Sequence, residues 1–208
     1  DKKMETTMGL MYSFTWNNDP KHVGFTISRY KFVSKMLEGK KNVLEVGCCD
    51  GWPSRVVKSS VKKLTAIDFD PKFIEIAKSN MSKKYKTNFL VHDMTKSPLP
   101  KKKFDSIYSV DVLEHIPKKK EKKFIKNILS NLDKKGSLII GTPSKESQGS
   151  PKFRKAKGHI NCKTGYELKK MLSKHFSNVF LFLMNDELIH TGMPKLSNYL
   201  FCICTNKK

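Results

Sequence analysis

Arginine is nearly absent from this chain. Of 41 basic residues among 208, only Arg29, Arg55 and Arg154 are arginine, and the rest are lysine. Readers of nucleic acid favour the planar arginine fork, which pairs bidentately with guanine and phosphate. The net charge of +22 therefore reads as a lysine-rich solvated surface, with runs such as 101–103, 118–120 and 134–135, and no specific nucleic-acid partner is expected. The scarcity makes each arginine a candidate for a geometric task. Long apolar runs are also missing: none is longer than the six residues of 179–184, where a membrane span needs roughly 20. Residues 1–7 offer no apolar stretch of a signal peptide, and no membrane association is expected. No Cys-x-x-Cys pair stands among the five cysteines, Cys48, Cys49, Cys162, Cys202 and Cys204. A zinc ribbon and a dithiol redox motif are thereby excluded, and a reducing, cytoplasmic location is expected.

What is present is enough for one core. Apolar residues make up 38% and aromatics 10%, and 208 residues suit a single domain. Residues 42–46, 64–68, 88–92, 104–110 and 137–142 read as short buried strands. Between them, Pro53 and Pro71 suit the first turns of helices. Phe124, Ile125, Ile128, Leu129 and Leu132 have helical spacing, with Gly136 placed as that helix's stop. Such alternation predicts an α/β fold, a doubly wound, mostly parallel sheet. Later, Tyr166, Leu168, Met171 and Leu172 mark a helix, and residues 179–184 and 199–204 two strands. Only about fourteen residues without helical periodicity separate these strands, which predicts an antiparallel pair and seven strands in all. One or two helices are expected before residue 40.

The chemistry concentrates after the first strand. In the run 43–51, Gly47, Cys49 and Gly51 form a tight turn, and Asp68 follows Gly51 by seventeen residues. A glycine turn between a first strand and a first helix lets a ligand approach the backbone. An acid ending the second strand accepts from two ribose hydroxyls. Either a dinucleotide or S-adenosylmethionine fits that geometry. The phosphate-cradling form needs Gly-x-Gly-x-x-Gly, which is absent. Glu45 sits badly beside a pyrophosphate and well beside a cationic methionine moiety.

From 43 to 145 the chain resembles the class I S-adenosylmethionine-dependent methyltransferases, closest in style to those acting on small molecules. Residues 45–51 look like the family's cofactor turn and 66–70 like its ribose-binding strand end. Residues 91–94 look like its adenine-side segment, and 104–116 like its fourth strand and active-site lip. The resemblance implies a Rossmann-like methyltransferase fold over a single domain, 1–208. Its parts would be an N-terminal helical cap (1–39), a cofactor-binding core (40–145), and substrate-side loops with C-terminal strands (146–208). It implies S-adenosyl-L-methionine as cofactor. Glu45, Gly47, Cys49 and Gly51 would surround the methionine part, Asp68 would hold the ribose, and Phe69 would lie beside the adenine. Asp93 would accept from the adenine amino group, the Met94 amide would reach a ring nitrogen, and Val110 and Leu113 would line the methyl-transfer mouth. Arg29 is the candidate partner of the methionine carboxylate. Cys49 departs from the family's usual glycine; a Cβ there narrows the backbone approach and penalises positive φ by roughly 1 kcal/mol.

Methyl transfer from a sulfonium is an in-line displacement, so alignment and a base for the acceptor's proton suffice. His115 is the candidate base, with no metal; His159 and His190 are expected near the same rim. The acceptor is expected to be a small molecule with a hydroxyl or amine, such as a sugar or secondary metabolite, and the protein a monomer or homodimer. One alternative takes Asp111-x-x-Glu114-His115, with His159, as a divalent-metal site like that of RNA 3′-end 2′-O-methyltransferases. The other is a non-catalytic S-adenosylmethionine-binding protein. Neither the Asn/Asp-Pro-Pro-aromatic segment of adenine methylation nor the Pro-Cys nucleophile of cytosine methylation occurs.

Overall fold

A computed structural model describes residues 7–101, 103–148 and 158–208. Arg154, and the part of the expected substrate-side segment at 149–157, lie outside them. The chain divides into two compact units, Asp1–Asp93 and Met94–Lys208.

The first unit opens with two helices, α1 (Leu10–Asn18) and α2 (Pro20–Met36). There follow β1 (Asn42–Val46), α3 (Ser54–Lys58), β2 (Lys63–Asp68), α4 (Pro71–Ser79) and β3 (Asn88–Val91). Its strands are parallel in the order β3-β2-β1. Pro71 occupies the first turn of α4, where its missing N–H is harmless, and the Asp70 carboxylate caps that helix through the Lys72 amide at 2.8 Å. The apolar face of α4 buries Ile74 and Ala77 against Ala66, Phe89 and Cys48. Full burial of a side chain such as Ile74 contributes about 1.5–3 kcal/mol. By contrast α1 buries none of its residues.

The second unit carries β4 (Phe104–Val110), α5 (Lys118–Asn131), β5 (Leu132–Pro143), α6 (Lys145–Gln148) and α7 (Gly165–Ser173). It ends with β6 (Phe176–Asn185), β7 (Leu188–His190) and β8 (Tyr199–Lys207). Strand order is β4-β5-β8-β6-β7. β4 and β5 are parallel, and β8 is antiparallel to both β5 and β6, as the short link between the last two long strands requires. The three-residue β7 joins the edge of β6 and brings the strands to eight among the described residues.

One boundary differs from expectation. Gly136 does not stop α5, which ends at Asn131; it lies within β5. The pairing of β4 with β5 jumps from Phe104↔Leu132 to Ser106↔Ser137, so residues 133–136 bulge out of register. A Cβ on Gly136 would stand 2.6 Å from Leu132 Cδ1, which accounts for glycine there.

Candidate functional site

The turn after β1 is built on left-handed backbone. Gly47, Cys49 and Gly51 have φ of 84°, 50° and 69°. The Gly47 and Cys48 amides both donate to the Ile67 carbonyl, at 2.8 and 3.0 Å, tying the turn to β2. Glycine is required at Gly51: a Cβ would meet the Phe89 ring at 2.6 Å and Ala77 Cβ at 3.0 Å. Cys49 holds the same region with a side chain, the strain that its departure from glycine predicts. Burial pushes its thiol up to about 12, with Asp50 adding to the effect, so it stays protonated at neutral pH.

Asp68 closes the turn from the end of β2. Its Oδ2 accepts from the Cys49 amide at 2.9 Å and its Oδ1 from the Asp70 amide at 3.0 Å. The Phe69 amide also acts on this carboxylate, and with about four lone-pair sites in all a carboxylate keeps acceptor capacity for a hydroxyl donor. The residue is 8% exposed. Burial raises its pKa above the ordinary aspartate value, against the lowering effect of the Asp70 and Cys49 amides. The helix-capping task falls to Asp70, which leaves the Asp68 carboxylate facing the turn. Phe69 beside it is 72% exposed, an apolar ring presented to solvent. Past β3, the His92 amide donates to the Asp68 carbonyl at 2.8 Å, and half-buried Asp93 ends the first unit.

Three contacts here were not readable in the sequence. The Tyr30 hydroxyl of α2 donates to Glu45 Oε1 at 3.0 Å, and both residues are buried. Burial, then Glu45 and Asp68, raise the pKa of the Cys48 thiol. Asp50, inside the turn, accepts from the Met11 amide at 2.8 Å and so caps α1. Tyr12 stacks on Trp52 with ring centroids 5.1 Å apart. Trp16 of α1 is 55% exposed. Arg29 is half-buried on α2, whereas Arg55 caps α4 by donating to the Asn80 carbonyl at 3.2 Å.

In the second unit Met94 is buried, and its carbonyl accepts from Asn127 Nδ2 at 2.8 Å. One helical turn on, Asn131 exchanges two hydrogen bonds with the Leu99 backbone. These asparagines on the buried face of α5 fix the segment after β3. Val110 and Leu113 are buried at the end of β4 and in the 3₁₀ turn that follows it.

That turn, Leu113–His115, carries a second polar centre. Buried Glu114 accepts from the Thr142 hydroxyl at 3.0 Å, and its main-chain carbonyl accepts from the Ile160 and Asn161 amides at 2.9 Å each. His115 Nδ1 lies 3.1 Å from the Gly158 carbonyl. A carbonyl only accepts, so Nδ1 donates to it, and Nε2 lies 4.0 Å from Glu114 Oε1. The His159 ring is 4.9 Å away at 76°. Glu114, His115 and His159 each offer a ligand atom, all within 4.8 Å of one another; Asp111 is outside this cluster. Lys163, ion-paired with Glu121 and bonded to Asn161, braces the segment that carries His159. His190 does not join them: Asn185 and Gly192 hold its ring at the end of β7.

Residues 44–140 match the methyltransferase domain family. A ubiquinone biosynthesis O-methyltransferase of Coxiella burnetii is 27% identical over 116 residues, which are 55% of this chain and 49% of that protein. The chain thus spans about half the length of the curated relatives it matches. Among solved structures, the N-methyltransferase NodS from Bradyrhizobium japonicum, in complex with S-adenosyl-L-homocysteine, superposes with a TM-score of 0.70. It is 18% identical, over 92% of this chain and 90% of that one. A S-adenosylmethionine-dependent methyltransferase from Clostridium acetobutylicum gives 0.72 at 12% identity, over 94% and 97%. The architecture is the Rossmann-like methyltransferase fold, mostly parallel with antiparallel C-terminal strands, and the segment 44–140 is the part of the chain that is similar to the methyltransferase domain family.

Proposed function

We propose that the chain transfers the methyl group of S-adenosylmethionine to a hydroxyl or amine of a small molecule. The observation that carries this reading is the turn at 47–51, with three positive-φ residues and the Cys49 amide bonded to Asp68. Its acceptor set suits the cofactor: two buried carboxylates, Glu45 and Asp68, favour a cationic methionine end and ribose hydroxyls, and would repel a pyrophosphate. When bound, S-adenosylmethionine supplies an electrophilic methyl on a sulfonium.

Glu45, Gly47, Cys49 and Gly51 surround the methionine part, with Arg29 on its carboxylate. Asp68 holds the ribose, Phe69, Asp93 and the Met94 amide hold the adenine, and Val110 and Leu113 line the mouth. His115 takes the acceptor's proton at Nε2, its ring oriented by the Gly158 carbonyl. The Coxiella relative, by its name an O-methyltransferase, supports a small hydroxyl acceptor. Incubation of the chain and cofactor with pooled metabolites, read by mass spectrometry, should show gain of one methyl on a small molecule and its loss with His115→Gln. Incorporation into total RNA instead, at a defined nucleotide, would overturn the small-molecule reading.

The cluster of Glu114, His115 and His159 favours a second reading, in which these residues hold a divalent cation that polarises the acceptor hydroxyl, as in 2′-O-methylation of RNA. The two part on chelation. A rate unchanged by a chelator supports the base; a rate abolished and restored by Mg²⁺ or Mn²⁺ supports the metal.

A further inference from the structure

At the end of β4 opposite Glu114 and His115 lies a cavity of about 320 Å³ lined by Lys103, Lys126, Lys174, His175, Lys207 and Lys208, with Leu129 and Ser130. The seven residues of β4 span roughly 23 Å, so this basin stands apart from the Glu114–His115 turn. Five ammonium groups border it, and no aspartate or glutamate is among its lining residues. Three of the ammoniums are anchored. Lys103 donates to the Ser130 carbonyl at 2.6 Å, Lys207 to Leu129 and Leu132 at 3.1 and 2.7 Å, and Lys208 to Ser173 at 2.7 Å. These contacts complement the carbonyl ends of α5 and α7. An ammonium has three N–H groups, so Lys207 keeps one and Lys208 two.

Anchoring removes most of the ordering cost that flexible lysines incur when they bind a ligand. The local field is positive beyond what the two helix ends neutralise. Burial, then Lys174 and Lys208, hold His175 below the ordinary histidine value. Burial and Lys103 lower Lys207, although Asp133 opposes them. The volume is that of a small-molecule site.

We propose that this basin binds a multiply charged oxyanion of small-molecule size, a polyphosphate or a phosphate ester. The anion would bridge the ends of α5, α7 and β8.

The test titrates the full chain with sodium tripolyphosphate by calorimetry at low salt and follows the His175 ring by NMR, assigned with His175→Gln. The expected result is saturable one-site binding with the His175 pKa raised on binding. In Lys126→Gln/Lys174→Gln, which leaves the anchored lysines intact, affinity should fall about tenfold. In Lys118→Gln/Lys119→Gln, which removes equal charge from the other end of α5, it should change less than about twofold. Equal losses in both variants would mean a diffuse surface field and overturn the proposal. So would absence of saturable binding, which would leave the lysines as helix caps only. Tight binding of a single-stranded oligonucleotide with tripolyphosphate inert would overturn it in favour of nucleic acid.

Discussion

Two substitutions in the cofactor turn should move stability in opposite directions, although both change one side-chain carbon at a positive-φ residue. In Gly51→Ala the new Cβ meets Phe89 Cε1 at 2.6 Å, Phe89 Cζ at 2.7 Å and Ala77 Cβ at 3.0 Å, on a backbone at φ 69°. The left-handed conformation costs an L residue about 1–2 kcal/mol, and overpacking adds about 1–3 kcal/mol. Removing a glycine from the unfolded chain returns only about 0.5–1 kcal/mol. The net expectation is a loss of about 2–3 kcal/mol, or roughly 5–10 °C in Tm for a chain of this size. In Cys49→Gly the left-handed penalty at φ 50° is relieved and glycine's entropy is lost, a net change of about 0 to +1 kcal/mol. Urea unfolding of both variants measures the difference. Phe89→Leu should rescue Gly51→Ala in part, with a coupling of at least about 0.5 kcal/mol in the double-mutant cycle. A neutral Gly51→Ala, or strict additivity with Phe89→Leu, would refute the steric account of the turn.

Tyr30→Phe removes the donor to buried Glu45 Oε1 and should cost about 1–3 kcal/mol in urea unfolding, with weakened cofactor binding by calorimetry. Thr164→Ala removes the capping box of α7, in which the Thr164 hydroxyl accepts from the Glu167 amide at 3.1 Å, and should cost about 1 kcal/mol. The same box gives a pH dependence. The Thr164 amide, then Lys145, hold the Glu167 carboxyl below its ordinary value, so its stabilisation is present above the unfolded value and lost as pH falls through the folded one. That acid-side dependence, read from unfolding midpoints across pH, should weaken only in part in Thr164→Ala, which removes the hydroxyl's bond to the carboxylate and keeps that of the amide.

Much of this fold was legible because buried parallel strands leave apolar runs in the sequence, and their ends carry residues with one conformational use. Val43 and Leu44, or Leu138, Ile139 and Ile140, are fully buried and stand out against the lysine-rich remainder. Pro71 begins α4 where its geometry demands a start. Asp68 was legible as the acid that ends β2, and the structure gives the capping of α4 to Asp70. Gly136 misled because a glycine after a helical pattern suits a helix stop and a strand bulge equally. β7 was hidden by its length of three residues. His159 was expected at the rim of His115; what the sequence did not show is the main-chain carbonyl of Glu114 that holds Ile160 and Asn161 beside it. Backbone hydrogen bonds between distant segments leave no trace in side-chain pattern, and the Asn127 and Asn131 clamps on Met94 and Leu99 are hidden for the same reason.

The central claim is a cofactor site built on the turn and Asp68, and its most direct measurement is calorimetric titration of S-adenosylmethionine into the native chain and Asp68→Ala. Hydrogen bonds to a charged acceptor contribute about 1.5–3 kcal/mol each. Loss of two predicts affinity weakened by at least about a hundredfold, with the native chain binding at one site. Equal affinity in the two proteins, or no binding by the native chain, would contradict the account.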